Sequence, residues 1–201
     1  MSNFHSDLLK EQLLAKYLDG IYKKINLNLS RVSDLKSQHQ GIDLIYKDNY
    51  LIDEKAQLNY INSNLPTFAF ELSYLKGGIE KKGWLFDKSK VTTHYFLITG
   101  IKARNEKDLS KGFTGCKITS VDRKKLIEHL EIIGLTQNNI ANYVTNIRNN
   151  PKSGKTTIRE LNPNNEGYIY YTSSLAEKPI NLVFKLDYLI KNNIAKRIYP
   201  I

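Results

Sequence analysis

Two short apolar segments separated by four residues constrain this chain more than any other feature. Gly41-Ile-Asp-Leu-Ile-Tyr46 and Leu51-Ile-Asp-Glu-Lys-Ala-Gln57 have strand composition, and Lys47-Asp-Asn-Tyr50 supplies a turn between them. Strands joined so closely must pair as a hairpin, which sets Asp43 beside Asp53. Side chains alternate along a strand, so Asp53 and Lys55 point one way while Ile52 and Glu54 point the other. Two carboxylates and one ammonium group are thereby expected in one small site.

The flanking segments read as a mixture of helices and strands. From Asp7 to Ile25, Leu8, Leu9, Leu13, Leu14, Leu18, Ile21, Tyr22 and Ile25 recur at helical spacing, with Ser6 available as an N-cap. Residues Asn26 to Gln40 are polar and suit a connection or a short second helix. Thr67–Ser73 and Thr92–Thr99 read as further strands, with Trp84-Leu-Phe86 a short piece between them. Thr119–Gly134 reads as a helix capped by Ser120 or Asp122, and Thr136–Ile147 as another. Asn149–Gly154 is loop-like, Gly167–Thr172 and Ile180–Phe184 are strand-like, and Leu186–Ile194 reads as a terminal helix. The expected division is a core over residues 1–118 and a helix and strand extension over 119–201, packed together as one domain.

A pair of carboxylates with a lysine suits phosphodiester chemistry. Asp43 and Asp53 can hold Mg²⁺ with several waters retained, and the ion would lower the pKa of a water and stabilise charge developing at phosphorus. Lys55 would orient the attacking water or help deprotonate it. Acids placed at a phosphodiester without a cation would repel the substrate, and the metal resolves that conflict. Gln57 continues the Asp53–Lys55 face and can orient a water, while Glu54 enters the site only if a bulge turns it inward. Glu71, in the apolar Phe68-Ala-Phe-Glu-Leu72 segment, needs a cation, a metal or an exit to solvent, because an unpaired buried carboxylate is costly.

Charge points to a polyanionic partner. The net charge is +10, and the stretch from Lys76 to Lys125 holds 13 Lys or Arg against 5 Asp or Glu. Within it, Lys76-Gly-Gly-Ile-Glu-Lys-Lys-Gly-Trp84 reads as a flexible basic loop. Lys76, Lys81, Lys82, Lys88, Lys90, Lys102 and Arg104 are candidates for phosphate contacts, with Trp84 a candidate stacking ring. Ser153-Gly-Lys-Thr156 lacks the earlier glycine of a phosphate loop, since Asn149 stands there, so no nucleotide cofactor is expected. The single cysteine, Cys116, excludes an internal disulfide and a cysteine-based zinc site. No run of 18 apolar residues and no basic-then-apolar leader is present, which gives the expectation of a cytoplasmic protein without a membrane partner.

Across Leu8 to Thr99 the chain resembles the PD-(D/E)XK nucleases, the superfamily of many restriction endonucleases. The resemblance places the family's two acids on Asp43 and Asp53 and its lysine on Lys55, with Ile42 and Leu51-Ile52 matching the strands that lead in. Ile42 stands where the family's nominal proline would be, and the second acid is Asp where Glu is commoner. It implies an α/β fold, a restriction endonuclease-like mixed β-sheet flanked by helices, and Mg²⁺ as the usual cofactor, with Mn²⁺ able to substitute. In some members the preceding helix adds a glutamate to the metal site, which here would be Glu11. The expectation is a metal-dependent endonuclease acting on DNA, with a homodimer as one route to cutting both strands. A non-catalytic nucleic-acid-binding or assembly protein and an RNA nuclease stand as the alternatives.

Overall fold

The computed structural model describes residues 4–47 and 49–200, with side chains from Leu8 onward. In chain order the first elements are α1 (Phe4–Lys24), β1 (Ser30–Arg31), α2 (Leu35–His39), β2 (Leu44–Tyr46), β3 (Tyr50–Ala56), β4 (Thr67–Lys76), β5 (Ile79–Lys82), β6 (His94–Ala103) and β7 (Phe113–Asp122). They continue with α3 (Arg123–Ile132), α4 (Gln137–Asn149), β8 (Gly154–Thr156), β9 (Gly167–Tyr171), β10 (Ile180–Lys185), α5 (Leu186–Lys191) and β11 (Ala195–Tyr199). The molecule is a mixed α/β protein with two sheets and flanking helices.

The chain divides into two compact units, and the division departs from a break at residue 118. The first comprises 1–65, 92–121 and 196–201, and the second comprises 66–91 and 122–195. The second unit thus begins as an excursion between two strands of the first, a connectivity that local periodicity cannot reveal.

In the first unit the sheet runs β1-β2-β3-β6-β7-β11. Strands β1, β2 and β3 pair antiparallel, whereas β6 lies parallel to β3, with Ile52 opposite His94 and Lys55 opposite Leu97. Helix α1 covers one face. Its Leu14, Leu18, Ile21 and Tyr22 recur three and four residues apart and bury against Leu44, Ile52, Phe96 and Ile98. Ser6, the expected cap, lies outside the described side chains. Ile98 and Ile101 both enter this core although they are three residues apart, and Gly100 between them has φ +54°. A strictly alternating strand could not place both, so an extra residue is taken up there.

The second unit holds an all-antiparallel sheet in the order β5-β4-β10-β9-β8. Thr67–Ser73 therefore belongs to a different sheet from the hairpin it follows in sequence. The expected Lys76–Trp84 loop is an ordered β4–β5 hairpin. Gly77 and Gly78 form its tip at φ +59° and +79°, the left-handed pair a type I′ turn requires. Trp84-Leu-Phe86 is a turn, not a strand. Residues 119–122 finish β7 instead of opening a helix, and Asp122 caps α3 by accepting from the Lys125 N–H at 3.1 Å. Thr136 caps α4 in the same way through Asn139. Ser153-Gly-Lys-Thr156 leads into β8, where Lys155 lies 4.4 Å from the Tyr168 ring centre and donates to the Pro163 carbonyl.

Candidate active site

The β2–β3 hairpin sets Leu44 opposite Ile52, a register that carries Asp43 opposite Asp53. Asp43 sits just before β2. Its backbone N–H donates to the Ile52 carbonyl at 2.8 Å, and its Oδ2 accepts the Glu54 N–H at 2.8 Å. Lys55 Nζ stands 2.8 Å from Asp53 Oδ1. Asp53 is 4% exposed and is hydrogen-bonded to the Asp43 carboxyl as well. The three residues therefore form one cluster on the sheet face opposite α1. Thr92 Oγ1 fastens the entry to this hairpin from β6's side by donating to the Gly41 carbonyl at 2.6 Å.

Burial dominates the electrostatics of the cluster. It pushes the Asp53 carboxyl up to about 7, against the attraction of Lys55, and the neighbouring Asp43 raises it further. With both acids ionised the cluster carries one negative charge more than Lys55 neutralises. A proton shared between the carboxyls relieves that excess, and a divalent cation would do so more fully.

Glu54 keeps to the other face, because β3 pairs without a bulge on both sides. Its Oε1 accepts the Tyr22 hydroxyl at 2.6 Å and its Oε2 accepts Arg31 Nη1 at 2.5 Å. Arg31 also reaches Asp19 at 2.7 Å. With no bulge to turn it inward, Glu54 stays outside the site: its side chain anchors β3 to α1 and β1, and only its backbone N–H meets Asp43. Sequence reading did not single out Arg31 or Asp19, and placed Tyr22 only on the apolar face of the first helix. Arg31 stands in a polar connection with no periodicity to mark it, although a glutamate facing an apolar helix does imply a cation or a hydroxyl opposite.

Of the other expected ligands, Glu11 is not brought to the cluster. Glu11 is exposed on α1, which packs on the opposite sheet face. About 16 Å of helix rise separates it from Tyr22, the α1 residue touching Glu54. Glu71 lies on β4 in the second unit, in register with Asn181. Gln57 is half-buried at the end of β3, its N–H donating to the Ile98 carbonyl at 3.0 Å.

Two carboxylates suit a hydrated ion better than a closed protein cage. Among the described residues no group of three or more His, Cys, Asp or Glu could hold a metal. Mg²⁺ commonly keeps several waters and takes one or two carboxylates together with substrate phosphate oxygens. Asp43 and Asp53 fit that pattern. They would not satisfy an ion that demands a full protein shell.

The basic stretch splits between the units. Lys76, Lys81, Lys82, Lys88 and Lys90 fall in the second unit, and Lys102 and Arg104 in the first. All are exposed except Lys90, which is half-buried. Trp84 does not stand free for stacking: it is half-buried, its ring centre 5.4 Å from that of Phe70. Cys116 is buried, which pushes its thiol up to about 12. No helix among the described residues is long and apolar enough to cross a membrane.

No family model, curated protein or solved structure matches this chain. The functional reading therefore rests on the chemistry of the site.

Proposed function

We propose that the protein is a metal-dependent nuclease of the PD-(D/E)XK type, hydrolysing phosphodiester bonds in DNA on a restriction endonuclease-like first unit. One observation carries the reading: Asp43, Asp53 and Lys55 meet at hydrogen-bond distance on one sheet face, with Asp53 buried between the other two. The parallel pairing of β6 with β3, after an antiparallel hairpin covered by an N-terminal helix, adds support from the surrounding architecture.

In this reading Asp43 and Asp53 bind Mg²⁺, with Mn²⁺ as a substitute. The bound ion supplies Lewis-acid activation of water and stabilises charge on the phosphate. The Glu54 N–H holds one oxygen of Asp43, and the carboxylate would share with Asp53 in holding the ion. Lys55, held by Asp53, presents its ammonium group to the attacking water, which enters in line with the departing oxygen. The basic surface, through Lys102 and Arg104 on the same unit, gathers the polyanion.

The test is an Mg²⁺-dependent cleavage panel with duplex, single-stranded and branched DNA and RNA. The Asp53→Ala and Lys55→Ala proteins are each expected to cleave at least about a hundredfold more slowly than wild type. Full activity in both purified variants overturns the proposal, and cleavage confined to RNA moves it to the RNA nuclease reading. Among the described residues no third acid joins Asp43 and Asp53, which favours a second reading, nucleic-acid binding without turnover. That reading predicts binding that needs no Mg²⁺ and no cleavage of any substrate.

A further inference from the structure

The second unit contains a cleft of about 450 Å³ between helix α4 and the β4–β5 hairpin, built wholly from residues of that unit. Its floor is apolar, with Leu72, Phe86, Ile140 and Val144 each under a tenth exposed. Its rim is polar: Lys81 and Lys82 stand on β5, the edge strand of the sheet, with Lys82 on the face of Ser73 and Lys81 on the other, and Gln137 and Asn138 open α4 across from them. All four rim side chains are exposed. Arg148 closes the far side of α4 by donating to Ser73 Oγ at 3.0 Å, and the same hydroxyl donates to Glu80 at 2.6 Å.

We infer that this cleft binds an unpaired nucleotide of a nucleic-acid strand. This rests on the nucleic-acid reading above but not on its catalytic part. Each wall supplies one element of such recognition. The apolar floor accepts the face of a base, and the rim amides of Gln137 and Asn138 carry both donors and acceptors for a base edge. Lys82, on the Ser73 face of β5, offers charge to a flanking phosphate, aided by the positive end of the 13-residue helix α4. The Glu80 carboxylate, already held by Ser73, adds an acceptor for an exocyclic amine. The space is that of a small-ligand site and cannot admit a stacked duplex.

An extended peptide adding to the β5 edge is the competing occupant, and β5 is poorly suited to it. The strand has four residues and carries two lysines, features that discourage edge pairing.

The test uses the full chain and fluorescence anisotropy with three probes: a labelled 12-mer of dT, a blunt duplex of equal length and a labelled poly-glutamate peptide. Ala141, exposed and lining the cleft from α4, is replaced by Trp to fill it without changing charge. Circular dichroism melting checks that the variant folds. The 12-mer is expected to bind Ala141→Trp at least tenfold more weakly than wild type, with duplex affinity changed less than twofold. Lys81→Glu/Lys82→Glu is expected to lose the 12-mer by a larger factor. Equal 12-mer affinity for Ala141→Trp and wild type overturns the inference, as does poly-glutamate binding as tightly as the 12-mer. Because these readouts need no turnover, absence of cleavage by the wild type would remove the nuclease proposal and leave this one standing.

Discussion

Asp53 and Glu54 are adjacent acids with opposite fates, and the difference is set by what each side chain meets. Asp53 is buried beside another acid, so folding raises its affinity for a proton from an ordinary value near 3.8 to about 7. For a group raised in the folded state, stability is fully present below the unfolded value and is lost as pH rises through the folded one. In metal-free protein the unfolding free energy is therefore expected to fall as pH rises from about 4 to about 8, by an amount on the order of a few kcal/mol at most, and the melting temperature with it. Asp53→Asn should flatten that dependence in calorimetry; an unchanged profile would refute the assignment. Glu54 is instead satisfied by Tyr22 and Arg31. Arg31→Ala would leave its carboxylate with one partner at 11% side-chain exposure, and a loss of about 2–3 kcal/mol is expected in denaturant unfolding. Adding Glu54→Gln should recover part of that loss, because the neutral amide no longer needs a cation. A double variant as unstable as the sum of the singles would show that the two side chains do not act together.

At the scale of elements, strands were legible where the alternation of apolar residues was regular and hidden where it was not. The β2–β3 hairpin follows from its short connection alone, and the regular register of β3 is what sends Lys55 and Glu54 to opposite faces. In β7, Phe113, Cys116 and Ile118 share one core, and the first two are three residues apart, so no two-residue period announces the strand. The Lys76–Trp84 segment shows the same limit for turns: its glycines suggested a flexible loop, yet two consecutive positive φ angles make a tight hairpin. Gly83, just beyond it, has a different constraint. A Cβ there would lie 2.2 Å from the Glu71 carbonyl oxygen, a backbone atom that cannot swing aside. Gly83→Ala is expected to cost about 2–3 kcal/mol, measured by thermal or denaturant unfolding, whereas a stability within about 0.5 kcal/mol of wild type would contradict the close approach.

For the whole molecule, the net charge of +10 acts through its field, and its effect should be visible in salt dependence. Affinity for duplex DNA is expected to fall at least about tenfold between about 50 and about 200 mM salt; a flat response would argue against phosphate contacts by the basic surface. The amino-acid sequence by itself determined the local geometry of the candidate site, because a four-residue connection forces pairing and a pleated strand forces alternation. It also determined that Glu54 would face away from Asp53. Only the tertiary structure decided that the segment from Pro66 to Val91 leaves for a second sheet, that β6 returns parallel to β3, and that Arg31 comes from a polar connection to hold Glu54. Those contacts join residues far apart in the chain. They form because the folded chain as a whole buries apolar area and satisfies its buried polar groups, and that sum leaves no period in any short stretch of sequence.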